Sequence, residues 1–184
     1  MKHLVKFIAT LLAVLMLLPV FSFIAYDALV FWPHRDDIQA ILENADPLDR
    51  LPPPKIRSYI FAQFQERTSP AGEVARQLHH RFLPRRGTLN SHMRSILWER
   101  LVLLHLSQEE IIGLYSTLIW NRQGQGLNAM SQHLFAKPLN ELSDQEAATV
   151  VAYTWAPSVF ERNPKGLKAR RDKLLSKVQE GPNK

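Results

Sequence analysis

A chain of 184 residues has room for one domain and an appendage. It contains no cysteine, which excludes a disulfide framework and thiol chemistry. Its 23 lysines and arginines against 17 carboxylates leave a net charge of +6. From Phe7 to Tyr26 the chain is apolar except for small residues and Pro19, and Lys2, His3 and Lys6 precede it. About 20 residues at 1.5 Å each span roughly 30 Å, enough for a bilayer core. A cleaved signal peptide is the rival reading. The length of the run, the lack of a clear Ala-x-Ala site after it, and Phe31-Trp32 as an aromatic interfacial anchor favour an uncleaved transmembrane helix. The cationic start sets the N-terminus in the cytoplasm and the rest outside. Residues 1–32 thus read as a membrane anchor in a single-pass protein. Outside the membrane, the positive balance favours anionic headgroups or a pyrophosphate over DNA, so no nucleic-acid partner is expected.

Residues 33–53 read as a linker with a short helix at Asp36–Leu42, and 54–184 as the main domain. Asp46–Pro54 carries four prolines and few apolar residues, the composition of a connection. Pro54 suits the first turn of a helix that places Ile56, Ile60 and Phe64 on one side. Ser69 and Pro70 start another helix as cap and first residue, running to about Phe82, and Pro84-Arg85-Arg86-Gly87 breaks it. Asn90 or Ser91 caps a strongly apolar helix through Leu106, expected to be the most buried of all. Ser107 and Ser143 each have a glutamate three residues on, Glu110 and Glu146, the signature of a capping box. Arg122–Gly126 is a polar turn. A last helix begins near Gly166 and carries Leu167, Leu174, Leu175 and Val178. No sustained period-two alternation argues for a sheet, so the domain is all-α.

Between Ser107 and Arg171 the chain carries Ile111, Ile112, Tyr115, Ile119, Gly124, Gly126, Ala129, Phe135, Lys137, Leu142, Glu146, Ala147, Ala148, Pro157, Ser158, Pro164, Arg170 and Arg171. In that order, with one residue deleted between the two glycines, these follow S-K-x-E-I-L-x-x-Y-L-N, I-Y-F-G-x-G-x-x-G-I-x-A-A, Y-F-G-K-x-x-x-x-L-x-x-x-E-A-A, P-S/N-x-x-x-x-P and R-R-x-x-V-L. The segment resembles the family 51 glycosyltransferases, the peptidoglycan glycosyltransferases that polymerise lipid II in the bacterial envelope. The resemblance implies a lysozyme-like helical fold and a place on the outer face of the bacterial inner membrane. Most of the matched positions build the scaffold.

The positions that would carry chemistry fare differently. Glycosyl transfer from a lipid pyrophosphate needs a base for the acceptor hydroxyl, and positive charge or a metal for the leaving group. The resemblance puts the Glu-Asp pair of the family's first motif on Phe64 and Gln65, and most of the jaw segment that follows is missing. G-G-S-T-I-T-Q-Q-L falls on Pro70–Leu78, where only Gln77 and Leu78 remain and Gly72 stands for the phosphate-contacting serine. The glutamate of R-K-x-x-E falls on Ser95 or Ile96, and the family's Leu-Asn becomes Ser116-Thr117. No catalytic residue is therefore assigned. Glu66 and Glu99 are weak substitutes, since a one-residue slip on a helix turns a side chain by about 100°. Arg76, Gln77, Arg81 and Arg94, with Arg85 and Arg86 nearby, gather around the helix that faces the cleft in the family, and are the candidate binding residues.

His79 and His80 are adjacent and project about 100° apart on a helix, and His92, His105 and His133 lack partners at ligand spacing, so no metal or other cofactor is expected. Neither a G-x-S-x-G nor a P-loop pattern is present. Three functions compete. One is an anchored, non-catalytic protein that binds lipid II, nascent glycan or another wall-synthesis protein. Another is an active transferase with relocated acids. The third is a structural membrane-surface protein that keeps only the scaffold.

Overall fold

The computed structural model describes residues 2–65, 69–83, 88–121 and 124–181. The chain divides into two compact units, Met1–Ile38 and Gln39–Lys184. In the first unit, α1 (Lys2–Tyr26) carries Pro19 inside it and continues through a wider turn at Asp27–Phe31 and a tighter one at Trp32–His34; α2 (Arg35–Glu43) begins in this unit and ends in the second. Arg35 places its guanidinium 4.9 Å from the centre of the Trp32 ring. The helical run Val14–Glu43 is long and apolar enough to cross a membrane. Phe7, Leu11, Leu15, Met16 and Phe21 are all exposed, as lipid-facing side chains would be.

The second unit is helical almost throughout. After α3 (Pro47–Arg50) come α4 (Pro54–Phe64), α5 (Pro70–Phe82), α6 (Thr88–His105) and α7 (Gln108–Leu118). The antiparallel pair β1 (Trp120–Asn121) and β2 (Gly124–Gln125) follows, with Trp120 opposite Gln125. The chain ends with α8 (Leu127–Phe135), a single tight turn at Leu139–Glu141, α9 (Asp144–Tyr153), α10 (Pro157–Phe160) and α11 (Pro164–Glu180). The fold is all-α, as the sequence indicates.

Helix starts obey local chemistry. The Ser69 hydroxyl accepts from the Gly72 amide at 3.0 Å, with Pro70 in the first turn. Ser107 and Ser143 form complete capping boxes, each serine amide donating at 2.8 Å to Glu110 or Glu146 three residues on. Glu146 also receives Lys137 Nζ at 2.7 Å, and this bond, helped by Ser143, pulls its carboxyl down to about 2. The break at 84–87 and residues 122–123 of the polar turn lie outside the described residues.

Three expectations need correction. The proline-rich stretch is no loose connection. Asp46 accepts from the Leu48 amide at 2.8 Å and caps α3, which packs on α7 and α8. The approach to α7 is close: a Cβ on Gly113 would come within 2.5 Å of the Arg50 carbonyl, so only glycine fits there. Second, α6 begins at Thr88, which leaves Asn90 and Ser91 inside the helix. Capping preference is weak against propagation of an established helix. Third, α6 is not the most buried helix. Trp98, Leu101 and Val102 face inward, while Met93, Ile96, Leu103 and Leu104 are exposed. It packs on α5, and among the described residues its apolar side chains beyond that stripe stand exposed. That place belongs to α7, buried from Ile111 to Ser116. α5 packs on α6 and α7, α4 on α9, and α11, whose Leu174 is buried, on α9 and α4.

Candidate functional site

The ends of several helices meet around a cleft of about 510 Å³, within the range of small-ligand sites. The last turn of α4 brings Gln63 and Phe64, and the first turns of α5 bring Gly72, Glu73 and Arg76 behind Ser69. α6 contributes Glu99, the end of α7 gives Tyr115 and Ile119, and the chain leaving α9 gives Thr154 and Trp155. Phe64, where the resemblance seeks a base, sets its ring edge-on to Tyr115 with centroids 5.3 Å apart. A hydrocarbon side chain there moves no proton.

Beneath Phe64 lies a polar triangle. The Thr154 hydroxyl donates to the Val151 carbonyl at 2.8 Å, so its oxygen accepts from its other neighbours. Those are Gln63 Nε2 at 3.0 Å and the Tyr115 hydroxyl at 2.9 Å, and Gln63 Nε2 also reaches Tyr115 at 3.1 Å. Burial raises the Tyr115 phenol well above its usual range, so it stays a neutral donor. Gln63 is 8% exposed, and its Oε1 has no hydrogen-bond partner among the described residues.

The two cleft carboxylates are both engaged. Glu99 Oε1 accepts the Ser69 hydroxyl at 2.7 Å and lies over Gly72, where a Cβ would come within 3.2 Å of it. Glu73 receives Arg76 through Nε at 3.0 Å and again through Nη2, and Gln77 Nε2 at 3.0 Å. The bond to Glu73 raises the Arg76 guanidinium further above its ordinary value. Trp155 is 52% exposed, and the Arg170 guanidinium lies over its ring at 4.0 Å from the centroid.

Of the residues singled out from the sequence, Glu99 and Arg76 line this cleft. Glu66 lies outside the described residues. Gln77 sits behind the lining, tied to Glu73. Arg81 is exposed at the last turn of α5, and Arg94 is half-buried on α6, close enough to His79 to disfavour its protonation. Neither lines the cleft, because five helical steps turn Arg81 about 140° away from Arg76. Sequence reasoning missed Gln63, Glu73, Thr154 and Trp155. Glu73 alone left a signal, three residues before Arg76 and four before Gln77 on one helix face. The others come together only when α4, α7 and α9 pack. No three His, Cys, Asp or Glu side chains converge as metal ligands among the described residues. His79 is buried against Trp98, ring centroids 6.5 Å apart, and burial lowers its pKa.

An all-helical domain with a cleft at its helix ends, and an N-terminal apolar helix long enough for a bilayer, define an architecture rather than a single activity. Residues 54–179, about two thirds of the chain, match the family described as Transglycosylase. The chain belongs to that family, the family 51 glycosyltransferases. No curated protein matches it. The family positions Ile112, Tyr115, Leu142, Ala147 and Ala148 are all buried, in keeping with a scaffold role.

Proposed function

We propose that this protein is a membrane-anchored member of the transglycosylase family that binds lipid-linked wall precursor or nascent glycan without polymerising it. Phe7–Tyr26 crosses the bacterial inner membrane once and holds the domain on the extracytoplasmic side, within reach of other wall-synthesis proteins. The observation that carries the non-catalytic reading is Phe64. It lines the cleft against Tyr115, at the position where the resemblance calls for the general base. The carboxylates nearby support the same reading. Glu73 is clamped by Arg76 and Gln77, and Glu99 receives Ser69. General base catalysis contributes about 10²–10⁴-fold, and it needs a carboxylate oxygen turned to the acceptor hydroxyl.

One observation favours a second reading, an active transferase: Glu99 does reach the cleft. A lipid II polymerisation assay on the purified full chain separates the two, with precursor and glycan binding measured on the same preparation. Binding without polymer is the expected result. Polymer formation that Glu99→Gln abolishes would establish the active reading instead.

A further inference from the structure

We propose that the cleft holds uncharged, hydroxyl-rich sugar rings, with Trp155 as their stacking surface, and excludes the diphosphate of a lipid-linked precursor. The inference rests on the glycan-binding reading above and narrows it. It starts from the hydrogen-bonding character of the lining. A diphosphate offers only acceptors and negative charge, so it needs donors and uncommitted cations. The lining supplies the reverse. Glu73 and Glu99 are carboxylate acceptors in that lining, with lone pairs beyond those their present donors use. A sugar presents hydroxyl donors, and an acetamido sugar an N–H as well. Either can meet acceptors that a phosphate would only repel.

Among the described residues, the cations near the cleft are already held. Arg76 is the one lysine or arginine among its described lining residues, and it makes a two-nitrogen clasp on Glu73. Arg170 lies over the Trp155 ring. Freeing Arg76 for a phosphate would leave Glu73 beside that same phosphate, a like-charge contact. Trp155 supplies the other half. It lines the cleft, half its surface is open, and the electron-rich face of an indole attracts the positively polarised C–H groups of a sugar ring. A cation over the ring restrains its swing.

The test uses the full chain in nanodiscs. Its probes are a tetramer of β-1,4-linked N-acetylglucosamine, inorganic pyrophosphate and the intact lipid-linked precursor. The tetramer should bind and shift tryptophan fluorescence. Trp155→Ala should weaken it at least tenfold, and Trp155→Phe less, while the circular dichroism melt stays where it was. Pyrophosphate should not compete at millimolar concentration, and Glu73→Gln, by releasing Arg76, should make it begin to compete. Tetramer binding indifferent to Trp155→Ala would overturn the stacking role. Pyrophosphate that competes with the unaltered chain, or that still fails to compete after Glu73→Gln, would overturn the electrostatic argument. Precursor that binds while the tetramer does not sinks this inference and leaves the broader reading standing. If neither binds, the broader reading fails as well.

Discussion

Asp49 shows how much one side chain can organise. It is 3% exposed, and its Oδ1 accepts from the Asn128 amide at 2.8 Å. It therefore caps α8 from a segment far away in the chain, since Gly126, the residue at the cap position, has no side chain. Gly126 is required there twice over. Its φ is +105°, and a Cβ would collide with Asp49 Oδ2. Asn128 completes the junction, donating Nδ2 to Asp46 at 2.9 Å and accepting from the Leu139 amide at 3.1 Å. Gly126→Ala should destabilise by at least the ~1–3 kcal/mol of a strained backbone, measurable by urea denaturation. Burial drives the Asp49 carboxyl up from its ordinary 3.8 to about 7, with the Asn128 and Leu127 amides pulling the other way. Between those values the folded chain holds a proton that the unfolded chain has released, so this group's contribution falls as pH rises. Denaturation curves of Asp49→Asn against pH should lose that decline between about 4 and 7, and an unchanged slope would refute the assignment. His79 has the opposite sign: burial lowers its pKa, so its contribution weakens as pH falls below the usual 6.5. Replacing it with phenylalanine should remove this acid-side loss.

At the scale of the element, local chemistry and packing divide the work. The helix starts at Ser69, Ser107 and Ser143 are legible because a cap involves neighbours within one turn. Burial of α6 is not legible in that way. Its inward face is decided by α5, and its apolar density gives no direction. Leu101 and Leu104 share a residue type and a helix yet differ in setting, Leu101 fully buried and Leu104 63% exposed. Leu101→Ala should cost about 2–5 kcal/mol, and Leu104→Ala less than about 0.5 kcal/mol. Thermal melts of the two variants give the comparison, and equal losses would mean that α6 packs on both sides.

Across the whole molecule the expected behaviour is that of an anchored domain. A reporter fused after Lys184 and active only outside the cytoplasm should report activity, and an apolar N-terminal run retained in the mature protein should appear by intact mass. A mature N-terminus near Tyr26 would mean that the run is a cleaved signal instead. In cells, Glu66→Gln should leave function intact if the chain binds without catalysing, which growth and wall-labelling assays can score.

The sequence by itself determined the family, the helical class and the apolar membrane-length run, because each is written in local periodicity, capping pairs or motif register. The family resemblance also points to Phe64 as the position where that family has its base. Only the tertiary structure decided the rest. The pairing of Glu73 with Arg76 was available to sequence, but its position in the cleft was not, and neither was the meeting of Gln63, Tyr115 and Thr154. The proline-rich stretch became a capping element for the same reason. The hydrogen bond from Asn128 to Asp49 crosses 79 residues, and no local pattern encodes a partner at that distance.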